Sequence, residues 1–333
     1  MSTAHWQPLV RDLIRRFECH SAYLDIGSNV GVQVRKLYEP ELYKGQDPEM
    51  PKLAKRFGIY EEPTPSERAA GIVKGAAFWN VTSGVLPIFE EYFGQGAARC
   101  AVCAIGVEPN PRHAARHEVL QAALQAAGVG ALWLSRTAAY ISEGELTVDL
   151  SGGGGREIND VGLQVGGVRG RQLRAAKTTN APNNNLVTVR TIDLASLIMF
   201  VRAELRAQSA RFTQAPAFST QMVMKIDTEG AEYKLLPHLI SRGAACAVDL
   251  VFLEWHPNLP EPSRMQREVR TFAESTLGRC HKTVLSDIDD ETFLHDGMRL
   301  PANGSLCPRL SGRTCHRGGR VCSTQIDDTQ MRG

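Results

Sequence analysis

The stretch AYLDIGSNVGVQVRKLY, residues 22–38, passes from a short apolar run through a glycine-bearing turn into a segment of helical character. A strand that ends in such a turn and continues as helix is one βα unit of an α/β fold. Gly27 and Gly31 permit positive φ and let the backbone come close to a ligand, because neither carries a Cβ. The helix start adds free N–H groups and partial positive charge, suited to an anionic group such as a carboxylate. The spacing departs from the G-x-G-x-x-G dinucleotide fingerprint, since Asn29 stands at the middle position.

Working outward, the same alternation recurs. AVCAIGVE (101–108), MVMKID (222–227) and VDLVFLEWH (248–256) read as strands. HAARHEVLQAALQAAG (113–128), the run over 191–210 that Asp193 would cap, and EYKLLPHLISRG (232–243) read as helices. Residues 131–150 suggest a strand with a hairpin partner, and 282–296 a terminal hairpin turning at Asp289-Asp290. The reading is an α/β fold with a mainly parallel sheet, in a single domain over 1–297. Residues 39–98 read as a helical insertion after the first βα unit, and 151–186, rich in glycine, as a flexible surface loop. The basic stretch 298–333 reads as a mobile tail.

Composition excludes several classes. With 43% apolar and 22% charged residues the chain is an ordinary globular sequence. A formal net charge of +2 gives no concentrated basic surface for nucleic acid. No apolar run approaches the roughly 20 residues of a membrane span, and arginines interrupt the only apolar part of the N-terminus, so a cytoplasmic location is expected. On that expectation the Asn-x-Ser/Thr sites at Asn80 and Asn303 are chance matches. The cysteine pair in CAVC, Cys100 and Cys103, lies within an apolar strand and reads as buried thiols; Cys307, Cys315, His316 and Cys322 match no zinc spacing. No metal ligand set is expected.

Acids gather where the strands end. GVEPNP places Glu108 at the end of the second strand, where an acidic residue in nucleotide-binding sheets accepts hydrogen bonds from ribose hydroxyls. The separation from Gly31 far exceeds the roughly 20 residues usual for that pairing, which is why 39–98 reads as inserted. MKIDTEGAE sets Asp227, Glu229 and Glu232 around Gly230, and FLEWHP places Glu254 and His256 on one side of an extended chain.

YLDIGSNVG, GVEPNP, VRTIDL and MKIDTEGAE, in this order, resemble the FkbM-type family of class I S-adenosylmethionine-dependent methyltransferases. The resemblance covers roughly 21–37 and 100–256, and MKIDTEGAE is its most specific part. It implies a Rossmann-like fold with a seven-stranded, mostly parallel sheet flanked by helices. It implies S-adenosyl-L-methionine as cofactor, with Asp25, Gly27, Ser28, Asn29 and Gly31 around its methionine end. Glu108, Pro109 and Asn110 would hold the ribose side, Thr137 and Ala138 the adenine side, and Asp227 would lie beside the sulfonium. Ser28 and Thr137 depart from the family pattern, which has Ala at the first position and Asn or Asp at the second.

The catalytic candidates are Asp227, Glu229, Glu254 and His256. Asp227 is suited to orient an acceptor hydroxyl, accept its proton or bind a divalent cation, and a histidine near its ordinary pKa is a natural general base. Glu232 reads as a cap of the following helix. The expected function is O-methylation of a hydroxyl on a small molecule or sugar. The alternatives are an NAD(P)-dependent oxidoreductase and a non-catalytic nucleotide-binding module of the same fold.

Overall fold

The computed structural model describes residues 4–43, 85–149, 164–165, 186–211, 220–256, 264–277, 280, 284–287 and 300–307. After helix α1 (Gln7–Arg16) come β1 (Ser21–Ile26) and α2 (Val32–Tyr38), then α3 (Val85–Phe93), β2 (Val102–Glu108), α4 (Ala114–Ala126) and β3 (Gly130–Ser135). Next are β4 (Thr137–Tyr140), β5 (Gly144–Asp149), β6 (Gln164–Val165) and β7 (Leu186–Asp193), followed by α5 (Leu194–Ser209). The chain continues through β8 (Met222–Ile226), α6 (Glu232–Ser241), β9 (Leu250–Leu253), α7 (Arg264–Leu277) and β10 (Val284–Asp287).

Six strands form the central sheet in the order β3-β2-β1-β8-β9-β10, and every pairing in it is parallel. The strand order reverses between β1 and β8, which opens a crevice at the carboxyl edge. Alternate residues of each strand serve opposite faces. Ala22, Leu24 and Ile26 of β1, with Ile105 and Val107 of β2, join the core beneath α1, α5 and α6. Tyr23 of β1 and Ala104 of β2 face the other way, into the core of α2, α3 and α4. Tyr23 meets the Phe89 ring of α3 edge-on with centroids 5.0 Å apart, so the end of the expected insertion belongs to the core. The rest of that segment, 44–84, lies outside the described residues.

Several expectations are corrected. The central sheet has six strands among the described residues, not seven. The segment 131–150 is not a strand with a hairpin partner: β3 enters the central sheet, while β4 and β5 flank β7 on opposite sides in a second sheet of order β4-β7-β5-β6. Local alternation marks both as strands, but the strand they share, β7, lies some 40 residues further on, and β5 also pairs with β6. The start of the supposed terminal hairpin is β10, a parallel edge strand on β9; its turn at Asp289-Asp290 lies outside the described residues. Of the loop 151–186, Gln164 and Val165 pair with β5, Leu186 starts β7, and the remainder lies outside the described residues.

The six cysteines among the described residues are not free thiols. Cys19 bonds to Cys103, Cys100 to Cys307, and Cys246 to Cys280. Cys100 lies in the 3-10 turn before β2 and Cys103 in β2 itself, and each takes a distant partner. Cys307 ties the start of the supposed mobile tail to the domain, where the Gly304 and Cys307 amides donate to the carbonyls of Ala126 and Ala127. Cys315, His316 and Cys322 lie outside the described residues. No helix among the described residues is long and apolar enough to cross a membrane.

Candidate functional site

The carboxyl ends of β2, β1, β8 and β9 lie side by side, joined beyond the strands by backbone hydrogen bonds. Gly27 N–H donates to Val107 O (3.0 Å), Asp227 N–H to Ile26 O (2.9 Å) and Glu254 N–H to Ile226 O (3.0 Å). This row brings the glycine turn, Glu108, Asp227, Glu229, Glu254 and His256 to one edge, as their places at strand ends predict.

The glycine turn owes its residues to packing. Gly27 has φ 79°, and a Cβ there would overlap the Asp227 carbonyl oxygen, so β1 and β8 can leave the sheet this close together only with glycine. At Gly31, φ 85°, a Cβ would press on Leu120 and Trp133 at 2.9 Å. At both positions the backbone thus comes close to other protein atoms, which by itself requires glycine. Asn29 (φ 49°) and Glu229 (φ 51°) hold the left-handed conformation in the two turns facing the crevice, a strain that concentrates at functional sites.

Asp25 organises the turn from within. It is fully buried, and its oxygens accept hydrogen bonds from the Ser28 hydroxyl (2.6 Å) and the Tyr23 hydroxyl (3.1 Å). Burial raises its pKa, against the lowering influence of Lys225. Ser28 in turn accepts from the Trp133 indole N–H (2.9 Å). His117, whose ring stacks on Trp133, donates from Nε2 to the Asn29 carbonyl (2.6 Å) and accepts at Nδ1 from Ser135 Oγ (2.8 Å). Burial pulls its pKa down to about 4, so it is neutral, in one tautomer, and braces the turn.

Glu108 spans the two turns it lies between. One carboxylate oxygen accepts the Asn29 N–H (2.7 Å) and the other the Asn110 N–H (2.8 Å). Burial pushes its pKa up to about 8, against those two bonds, with Asp227 and Asp25 adding to the rise. Asn110 Oδ1 caps the following turn by accepting the Arg112 N–H (3.0 Å), and Pro109 is half-buried between them. Thr137, buried, donates its hydroxyl to Ser135 O (3.1 Å). Ala138 packs with Val148 and Val189 in the small core of the second sheet.

On the β8–β9 side, Lys225 is the buried cation. Its Nζ donates to Asp227 Oδ2 at 2.8 Å; burial pulls its pKa down, but Asp227 and Asp25 outweigh that and raise it. His256 is ringed by carboxylates. Its Nε2 lies 3.2 Å from Glu254, 3.6 Å from Asp227 and 3.9 Å from Glu229, and its Nδ1 lies 3.5 Å from Glu232. Burial alone would lower its pKa, yet Glu232 and Glu254 carry it up to about 11. The surrounding carboxylates thus favour the charged form of His256, in contrast to the near-neutral base expected from the sequence. Burial instead pushes Glu229 up to about 7 and also raises Glu254. The proton acceptors of this edge that titrate upward are carboxylates.

Glu232 is more than a helix cap. Fully buried, it accepts the Gly230 N–H (2.8 Å) and the Thr228 hydroxyl (3.2 Å) on one oxygen and the His256 N–H (2.8 Å) on the other. It stitches the end of β9 to the turn after β8. Asp227, Glu229 and His256 each offer a donor atom within 4.8 Å of the others, a spacing that fits a metal ion. Lys225 and the His256 imidazolium already supply positive charge at that point.

Sequence reasoning missed Tyr23, His117, Trp133 and Lys225. Only Lys225 left a signal: a lysine inside the apolar run MVMKI requires a buried carboxylate beside it. The others act across the fold, and nothing in their local sequence points to the turn they hold. No protein-family profile, curated protein or solved structure matches the chain.

Proposed function

We propose that the protein is an S-adenosylmethionine-dependent methyltransferase acting on a hydroxyl of a small molecule or sugar. The observation that carries this reading is the gathering of acidic side chains at the carboxyl edge. Asp25, Glu108, Asp227, Glu229, Glu232 and Glu254 meet there, with Lys225 and His256 as the cationic side chains bonded or ion-paired to them. Acidic side chains gathered this closely raise one another's pKa, and a cationic ligand would relieve that by favouring their charged forms. S-adenosylmethionine carries a sulfonium and an ammonium against one carboxylate, and its ribose offers a diol to Glu108. The donor set fits that group.

When bound, S-adenosylmethionine supplies a methyl carbon already activated for displacement. The chain's own residues have the tasks of positioning and proton removal. Glu108, anchored by two backbone N–H groups, presents its remaining lone pairs to ribose hydroxyls. Asp227, fixed by Lys225, orients the acceptor hydroxyl. Glu229, poised near neutrality, takes the hydroxyl proton, while the His256 cation keeps Glu254 and Asp227 in place. Alignment of acceptor and methyl carbon accounts for most of the rate, up to roughly 7–11 kcal/mol of barrier.

The strand order favours a second reading, since dinucleotide-binding sheets share the order seen here. Against it, the pyrophosphate of NAD(P) would bring two negative charges to an edge crowded with carboxylates. Isothermal titration of the full chain with S-adenosylmethionine, NAD and NADP separates the two. Binding of S-adenosylmethionine alone supports the proposal; binding of either dinucleotide, or of none of the three, overturns it.

A further inference from the structure

We propose that Asn303 is an acceptor of N-linked glycan, and that the chain matures in an oxidising compartment where that modification occurs. Six cysteines are joined in three disulfides among the described residues, two of them between segments far apart in sequence. Disulfides on this scale persist in oxidising compartments and are rare in reducing ones. The finding removes the ground on which Asn303-Gly304-Ser305 reads as a chance match to the Asn-x-Ser/Thr acceptor pattern.

The structure places that triplet where a glycan can be carried. Asn303, Gly304 and Ser305 are all exposed, in a turn. Gly304 has φ +67° and open space around it. The turn is nonetheless fixed to the domain, by the Gly304 N–H to Ala126 O bond (2.8 Å), the Cys307 N–H to Ala127 O bond (2.9 Å) and the disulfide to Cys100. Arg16, Gln125 and Asn303 border an open depression beside it, with polar groups for a first sugar. The turn docks at the end of α4 that leads into the start of β3, opposite the carboxyl edge. A glycan there leaves the proposed active site clear. Asn303-Gly304-Ser305 precedes Cys307 in the chain, so the triplet is synthesised before the Cys100–Cys307 bond can form.

The reaction needs one co-reactant, a lipid-pyrophosphate oligosaccharide. The Asn303 side-chain nitrogen forms a bond to C1 of the terminal sugar as the bond from C1 to the pyrophosphate oxygen breaks. The amide loses one proton to a base of the transferase, the lipid pyrophosphate leaves with the bonding electrons, and no oxidation state changes.

The test is expression of the full chain through the secretory pathway of cultured animal cells. Intact mass is read before and after peptide-N-glycosidase, with peptide mapping under non-reducing conditions. The expected result is the three disulfides above and a glycan at Asn303 that both Asn303→Gln and Ser305→Ala abolish; Ser305→Ala keeps the asparagine and changes only the recognition pattern. A disulfide-bonded chain with bare Asn303, a glycan confined to Asn80, or a chain recovered with these six cysteines as thiols would overturn the proposal. None of these outcomes depends on cofactor binding or methyl transfer.

Discussion

Replacing Glu108 with Gln tests the site through folding stability, without any ligand. In the folded chain burial holds the Glu108 carboxyl at a pKa of about 8 against an ordinary 4.5. The folded state therefore binds this proton more tightly than the unfolded chain, and stability falls as pH rises from 4.5 towards 8. At about 1.4 kcal/mol per pH unit, the displacement sets a ceiling of about 5 kcal/mol on the stability forfeited above pH 8. Gln keeps the shape and carries no charge, so that loss disappears. It can still accept one of the two backbone N–H groups of Asn29 and Asn110, and it leaves the other unmatched, at a cost of about 1–3 kcal/mol. The two effects have different pH dependence. Near pH 5 the wild type is the more stable protein; near pH 8 the variant is, by at most about 2–4 kcal/mol on this balance. Thermal melts of both proteins at half-unit steps from pH 5 to 8 read the crossing directly, because about 1 kcal/mol moves the midpoint by roughly 2–4 °C at this domain size. Parallel curves would refute the assignment of a buried, proton-holding Glu108. On the proposed function, the variant that gains stability at pH 8 also binds S-adenosylmethionine less tightly, the trade expected where a site keeps a strained group for use.

Three further outcomes are expected. Methyl transfer from labelled S-adenosylmethionine into a hydroxyl-bearing metabolite extract rises with pH through about 7, where Glu229 ionises, and Glu229→Gln lowers the rate about 100-fold; an unchanged profile in that variant would remove Glu229 as the base. Gly27→Ala yields no folded protein by far-ultraviolet circular dichroism, because its Cβ meets the Asp227 carbonyl and φ is 79°; a wild-type melting curve would show that β1 and β8 separate more easily than their packing implies. Cys307→Ser lowers stability by about 2–4 kcal/mol, since the lost bond closes a span of 207 residues, and equal melting of oxidised wild type and variant would count against the docking of 300–307.

The layer order of the fold was legible because it depends on local pattern. Apolar runs bounded by glycine and acid mark β1, β2, β8 and β9, and the period of the intervening segments marks α4, α5 and α6. Asp193 caps α5 as its residue type predicts, accepting the Ala195 N–H at 3.0 Å. The same logic put Glu108, Asp227 and Glu254 on one edge, since residues that end parallel strands end them together.

What the tertiary structure alone decided are the relations that local pattern does not carry. The sequence marks β4 and β5 as strands but not that β7 lies between them. It shows eight cysteines but not which of them meet. It names His256 but not its charge, because a pKa depends on the carboxylates gathered around it, and these come from the turn after β8, the start of α6 and the residue that follows β9. Gly27 is there for a carbonyl 200 residues away. Period and composition are properties of a segment, whereas pairing, proximity and electric field are properties of segments brought together, and only folding brings them together.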